Sequence, residues 1–95
     1  KYTGAGGKYS TSDANAEFVG EVRKIFNENK IAWQTGELGK VDQGGGGTIA
    51  QFMARYGMEV LDCGPALLSM HAPVEVSHKG DIYMCYKAYR AFLSS

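Results

Sequence analysis

Cysteine is scarce in this sequence, with Cys63 and Cys85 making up the whole complement. Two are too few for a disulfide framework, and their spacing lacks the close pairs of a zinc knuckle, so they read as reduced thiols of a cytoplasmic protein. An excess of one charge is missing too: formal net charge is +0 and the basic residues are scattered. A chain balanced in this way has no field with which to gather nucleic acid or an anionic membrane, and neither is expected as a partner. No apolar run reaches the length that crosses a bilayer. No charged-then-apolar leader opens the chain at Lys1-Tyr2-Thr3, and this start reads as cut from something longer. Beyond one run of glycines there is no internal repeat and no low-complexity segment.

What is present is ordinary for a globular chain. Of 95 residues, 44% are hydrophobic and 21% charged, which argues for one small domain and against disorder. A lone domain of this size hides only ~60–65% of the surface its unfolded chain would expose. Its stability alone would be marginal.

Residues 3–12 hold glycine, serine and threonine in loop proportions. Over 13–29 the apolar positions Phe18, Val19, Val22, Ile25 and Phe26 recur at three and four residues, the signature of one helical face. Ser12 is the expected N-cap, with Asp13 and Glu17 suited to the positive end of the helix dipole. Residues 31–35, Ile-Ala-Trp-Gln-Thr, read as a buried strand with Trp33 in the core. A long polar loop, 36–47, runs through Gly44-Gly45-Gly46-Gly47 into a helix expected over 48–56, burying Ile49, Phe52, Met53 and Tyr56 and ending at a left-handed Gly57. A second strand is expected at 58–61. The last helix is expected over 77–93, with Ile82, Cys85, Tyr86, Tyr89, Phe92 and Leu93 as a packing stripe and His78 facing solvent. The chain is read as α/β with about three strands, two of them at 31–35 and 58–61, and three helices covering a sheet that is parallel if each crossover is right-handed.

Two features carry chemistry. Loops leaving strand ends are where α/β folds place ligands, and His71 sits in such a loop, 62–76. A lone histidine is more often a surface residue than a ligand, so its position alone decides nothing. The glycine run lets backbone amides approach a ligand closely and leads into a helix N-terminus, which favours an anion. It lacks the spacing of a phosphate loop, and Thr48 and Ile49 interrupt a dinucleotide fingerprint. As a nucleotide signal it is weak.

The two features read differently together. Gly44-Gly45-Gly46-Gly47-Thr48-Ile49-Ala50, then Leu68-Ser69-Met70-His71-Ala72-Pro73 with Glu75 and Val76, then Asp81-Ile82-Tyr83, resembles the C-terminal part of the catalytic domain of the aspartyl aminopeptidase and vacuolar aminopeptidase family of dinuclear zinc exopeptidases. The resemblance implies that residues 1–95 are a single incomplete segment of a three-layer α/β/α sandwich with a mixed sheet. It makes His71 a metal ligand, the family's last, with Ser69, Met70 and Glu75 around it, and assigns the backbone of Gly45, Gly46, Gly47 and Thr48 to substrate. Glu75 would brace the loop or cap the last helix.

The implied chemistry is hydrolysis of an N-terminal peptide bond by water activated between two zinc ions or another divalent metal. No catalytic residue falls in this segment, the general-base glutamate being expected upstream. Glu37, Asp42, Asp62 and Asp81 match none of the family's other ligands. One histidine cannot hold catalytic zinc, which needs about three protein ligands, so the chain alone is expected to be inactive. Its implied partners are a peptide substrate, the missing N-terminal segments and further copies in a homo-oligomer. Two other readings stay open: a small anion-binding α/β module using the glycine loop, and an interaction fragment whose apolar edge needs a partner.

Overall fold

A computed structural model of the chain describes residues 15–36 and 49–95. Its elements are α1 (Ala16–Glu28), α2 (Ala50–Ala54) and α3 (Lys79–Leu93). These residues fall into two compact units, one within Lys1–Glu21 and Gln34–Cys63, the other comprising Val22–Trp33 and Gly64–Ser95. Val19 and Ala50 are buried in the first unit, and Val22, Ile31 and Ala88 in the second.

The expected strands are absent among the described residues, so the three-stranded α/β reading, with its mixed sheet, is corrected here. At 31–35 the reason is local. Residue Lys30 adopts a left-handed φ of 55°, Lys30 N–H donates to Asn27 O (3.2 Å), and Ile31 N–H donates to Phe26 O (2.9 Å). This is a Schellman closure of α1 with lysine where glycine is usual. It takes the Ile31 amide that a sheet ladder would need. Trp33 then folds back on the same helix: its indole N–H donates to Asn27 Oδ1 at 2.9 Å, and the Arg23 guanidinium lies 4.9 Å from its ring centroid. Trp33 is half-buried rather than core. Apolar, β-prone residues satisfy a helix end instead of a sheet. At 58–61 the backbone has no ladder partner among the described residues, and Met58 is exposed. A run of apolar residues supplies one side of a strand pair, never the second.

Helix α1 keeps its predicted face, with Val19 and Val22 buried and Phe18, Ile25 and Phe26 half-buried. Its start is later than periodicity suggests. Asn15 Oδ1 accepts from Phe18 N–H at 2.7 Å and Asn15 O from Val19 N–H at 3.0 Å, the geometry of an N-cap asparagine. Ser12 and Asp13 lie outside the described residues. The amide of Asn15 also donates to Glu59.

Helix α2 is only five residues long, too short to present a continuous face. Ala50 is buried, while Ile49, Phe52, Met53 and Tyr56 are exposed, contrary to expectation. Gly57 does follow it with a φ of 77°, where a glycine has no steric penalty.

Helix α3 begins at Lys79, not Ser77. His78 is its N-cap, Nδ1 accepting from Gly80 N–H at 2.9 Å. A Cβ on residue 80 would stand 3.0 Å from that nitrogen, so glycine here leaves room for the capping ring. Ala88 is buried and Cys85 half-buried, but Ile82, Tyr86, Tyr89, Phe92 and Leu93 of the stripe are exposed. The stripe read from periodicity is therefore not the covered side of α3, whose less exposed residues are Met84, Cys85, Lys87, Ala88 and Ala91.

Candidate functional site

The loop ahead of α3 carries Ser69, Met70, His71 and Glu75 in one closed turn of chain. Leu68 and Val76 close it as an antiparallel bridge, Leu68 N–H donating to Val76 O (2.8 Å) and Val76 N–H to Leu68 O (3.2 Å). Just outside the bridge, Ser77 Oγ donates to Ala66 O at 2.9 Å. The ends of 69–75 are thereby tied twice.

Inside the loop, Ala72 N–H donates to Ser69 O at 3.0 Å, making 69–72 a four-residue turn with Met70 and His71 at its centre. His71 has a φ of 70°, and Met70 is not among the positive-φ residues. That is the pattern of a type II turn, whose third position usually takes glycine or asparagine. Ser69 also has a positive φ, of 60°. Each such conformation costs an L-residue on the order of 1–2 kcal/mol, histidine being among the more tolerant side chains. Strain of this kind persists where surrounding contacts over-determine it, and it clusters at functional sites.

The contact that meets His71 is Glu75. Its Oε1 accepts from the His71 backbone N–H at 2.6 Å, a charge-assisted bond. This bond joins the Glu75 side chain to the backbone four residues earlier in the same loop. The cap of α3 belongs to His78. The carboxylate binds backbone and leaves the imidazole alone: the His71 side chain is exposed, and among the described residues no hydrogen bond reaches its ring nitrogens. His78 differs, because its Nδ1 lone pair is engaged by Gly80. The two rings therefore stand differently, one capping a helix and one exposed.

A metal centre needs several such groups. Among the described residues, no cluster of three or more His, Cys, Asp or Glu side chains could hold an ion. Asp81 sits in the first turn of α3 and Glu59 is engaged by Asn15. His71 fits a single imidazole ligand of zinc, and the segment does not fit a complete centre. Gly45, Gly46, Gly47 and Thr48, together with Glu37 and Asp42, lie outside the described residues. The Ser77 strap is not legible in the sequence, since a serine directly ahead of an amphipathic run reads as part of the helix start.

Similarity to known proteins extends over the whole segment. A family model described as aminopeptidase I zinc metalloprotease (M18) matches residues 2–93. A probable M18 family aminopeptidase 1 from Thermotoga maritima is 61% identical over 93 residues, covering 98% of this chain and 21% of the relative. The probable M18 family aminopeptidase 1 of Clostridium acetobutylicum is 58% identical over 95 residues, covering 100% of this chain and 20% of the relative. Among solved structures, aminopeptidase I from Clostridium acetobutylicum is similar with a TM-score of 0.86 at 58% identity, covering 100% of this chain and 21% of that one. An M18 family aminopeptidase from Thermotoga maritima gives 0.86 at 61% identity, with 98% and 21% covered. The chain thus spans about one fifth of the length of the relatives it matches.

Proposed function

The chain belongs to the M18 family of aminopeptidase I zinc metalloproteases, and from that membership we propose that it is the part of a zinc aminopeptidase that delivers one ligand histidine, His71, to the metal site. The observation that carries this reading is the placement of His71: an exposed imidazole at the strained centre of a turn that is tied at both ends.

Zinc, when bound, lowers the pKa of water and stabilises negative charge on the scissile carbonyl oxygen. The residues of this segment orient and present. Ser69 and Met70 set the path into the turn, His71 offers a ring nitrogen, and Glu75 holds the His71 amide. Gly45, Gly46, Gly47 and Thr48 contribute backbone to the substrate. The substrate is a peptide cleaved at its N-terminal residue, and the site takes two zinc ions, or another divalent metal. The general-base glutamate and remaining ligands come from the larger part of the enzyme, so the segment by itself is inactive. Assembly into a homo-oligomer and residence in the cytoplasm complete the proposal.

The test is His71→Ala in the full-length enzyme, with zinc stoichiometry and turnover measured on the same preparation. The expected outcome is loss of most peptidase activity and weakening of one metal site with the fold retained. Full zinc with wild-type turnover would remove His71 from the site. The anion-binding alternative gains no specific support, because the helix after the glycine run is five residues long and its cap residue, Ile49, makes no side-chain capping bond.

A further inference from the structure

We propose that Glu75 is a positioning residue for His71, acting through the backbone: its carboxylate locks the His71 amide and so holds the left-handed turn that aims the imidazole. This rests on the reading of His71 as a metal ligand. The usual way to orient a ligand histidine is a hydrogen bond to its second ring nitrogen, and among the described residues His71 has none; its bond to Glu75 is made by the main chain. Among the described residues, the hydrogen bond available to orient His71 therefore acts on its backbone.

Three observations place that task on Glu75. First, the turn is intrinsically unfavourable, with a histidine at a φ of 70° and a serine two residues earlier at 60°. The sequence therefore supplies no local preference for the observed backbone. Second, the two ties at the loop ends, Leu68 with Val76 and Ser77 with Ala66, bring the ends together without specifying the conformation of 69–72. A loop closed in this way could relax to a turn with negative φ at position 71. Third, the one side chain that reaches the turn from the returning arm of the loop is Glu75, and it meets the backbone N–H of His71 itself, at 2.6 Å. That amide belongs to the Met70–His71 peptide, whose orientation distinguishes a type II turn from a type I turn. An acceptor fixed opposite it selects one orientation. The neighbours reinforce this geometry: Pro73 has its φ restricted by its ring, and the backbone pairing of Val76, one residue on, fixes where the Glu75 side chain starts.

The role needs an acceptor at this position rather than a negative charge as such. Glutamine keeps a carbonyl oxygen at the same reach and alanine keeps nothing, so the pair Glu75→Gln and Glu75→Ala separates positioning from charge. In the full-length enzyme, metal affinity is read by competition with a zinc chelator, and protection of the 68–76 backbone by amide exchange. Turnover is measured alongside, with far-UV spectra and melting temperature as checks on the fold. Loss of an outer partner of a metal ligand costs about ten- to a hundredfold in affinity or activity. Glu75→Ala is expected to show a loss of that order at one metal site, with faster exchange in 68–76, and Glu75→Gln to recover most of both. Unchanged zinc affinity in Glu75→Ala would overturn the proposal. So would Glu75→Gln proving as damaging as Glu75→Ala, since the carboxylate charge, or direct ligation, would then be what matters. Should Glu75→Ala fail to fold, Glu75→Gln decides the matter: near-wild-type zinc affinity in it supports the hydrogen-bond role, and loss of zinc refutes it. His71→Ala distinguishes the two levels: full zinc there sinks the ligand assignment itself, whereas lost zinc there with an unaffected Glu75→Ala sinks only the positioning role.

Discussion

At the scale of single residues, His71 combines two demands that ordinarily conflict. Its backbone occupies a region where glycine is favoured, while its side chain is the ligand that the proposed function requires. The cost of the backbone can be separated from the value of the ring by comparing His71→Gly with His71→Ala in the full-length enzyme. Alanine inherits the left-handed strain, about 1–2 kcal/mol, and glycine relieves it while adding about 0.4–1 kcal/mol of unfolded-chain entropy. His71→Gly is therefore expected to be at least as stable as His71→Ala by denaturant titration, although both lack the ligand and most activity. A glycine variant clearly less stable than the alanine one would mean that position 71 is not strained. The presence of this residue was legible in the sequence, because the Ser-Met-His order with a following Glu is distinctive. Its conformation was not. Nothing in a histidine side chain announces a positive φ, and the Glu75 contact depends on how the loop closes at Leu68 and Val76.

At the scale of elements, helices were legible and their partners were not. A three-and-four pattern is a property of one segment, so α1 and α3 emerge within a few residues of their expected spans. A strand is a property of two segments, and the apolar stretch at 31–35 has a competing use. It closes α1 through the Ile31 amide and returns Trp33 to Asn27 and Arg23. Lysine gives no warning of this, since glycine is the usual marker of such a stop. The closure makes a direct prediction. Lys30 holds a φ of 55°, so Lys30→Gly is expected to stabilise the full-length enzyme, or at least the local end of α1, by about 1 kcal/mol once relief of strain is set against added chain entropy. The measurement is amide exchange of Lys30 and Ile31, which should slow. Faster exchange at these amides would mean that the lysine side chain contributes contacts outweighing its backbone penalty.

At the scale of the molecule, the question is what a segment one fifth the length of its relatives can do by itself. Folding costs roughly 1–2 kcal/mol of backbone entropy per ordered residue, offset by burial at about 25 cal/mol per Å² of apolar surface. Among the described residues the burial side is thin. The buried apolar residues among those described are Val19, Val22, Ile31, Ala50 and Ala88, two of them alanines with little surface to hide. Larger groups stay in water: Tyr83, Tyr86, Tyr89 and Phe92 along α3, and Phe52 and Tyr56 at α2, are all exposed. Tyr83 and Tyr86 have only each other at 6.3 Å and Lys87 at 5.9 Å from the Tyr83 ring as ring contacts among the described residues. A surface of this kind lowers its free energy by association. Sedimentation of the purified 95-residue chain is accordingly expected to show self-association, or amide exchange to show weak protection throughout, and addition of the remaining polypeptide of the enzyme should relieve either state. The metal side follows from the same deficit. With one candidate ligand in the loop and no cluster of three among the described residues, a zinc titration should find no tight site and an amino-acid anilide should not be cleaved. A well-protected monomer with measurable turnover would contradict both halves at once, and the catalytic set would have to be sought among Glu37, Asp42, Asp62, His71 and Asp81.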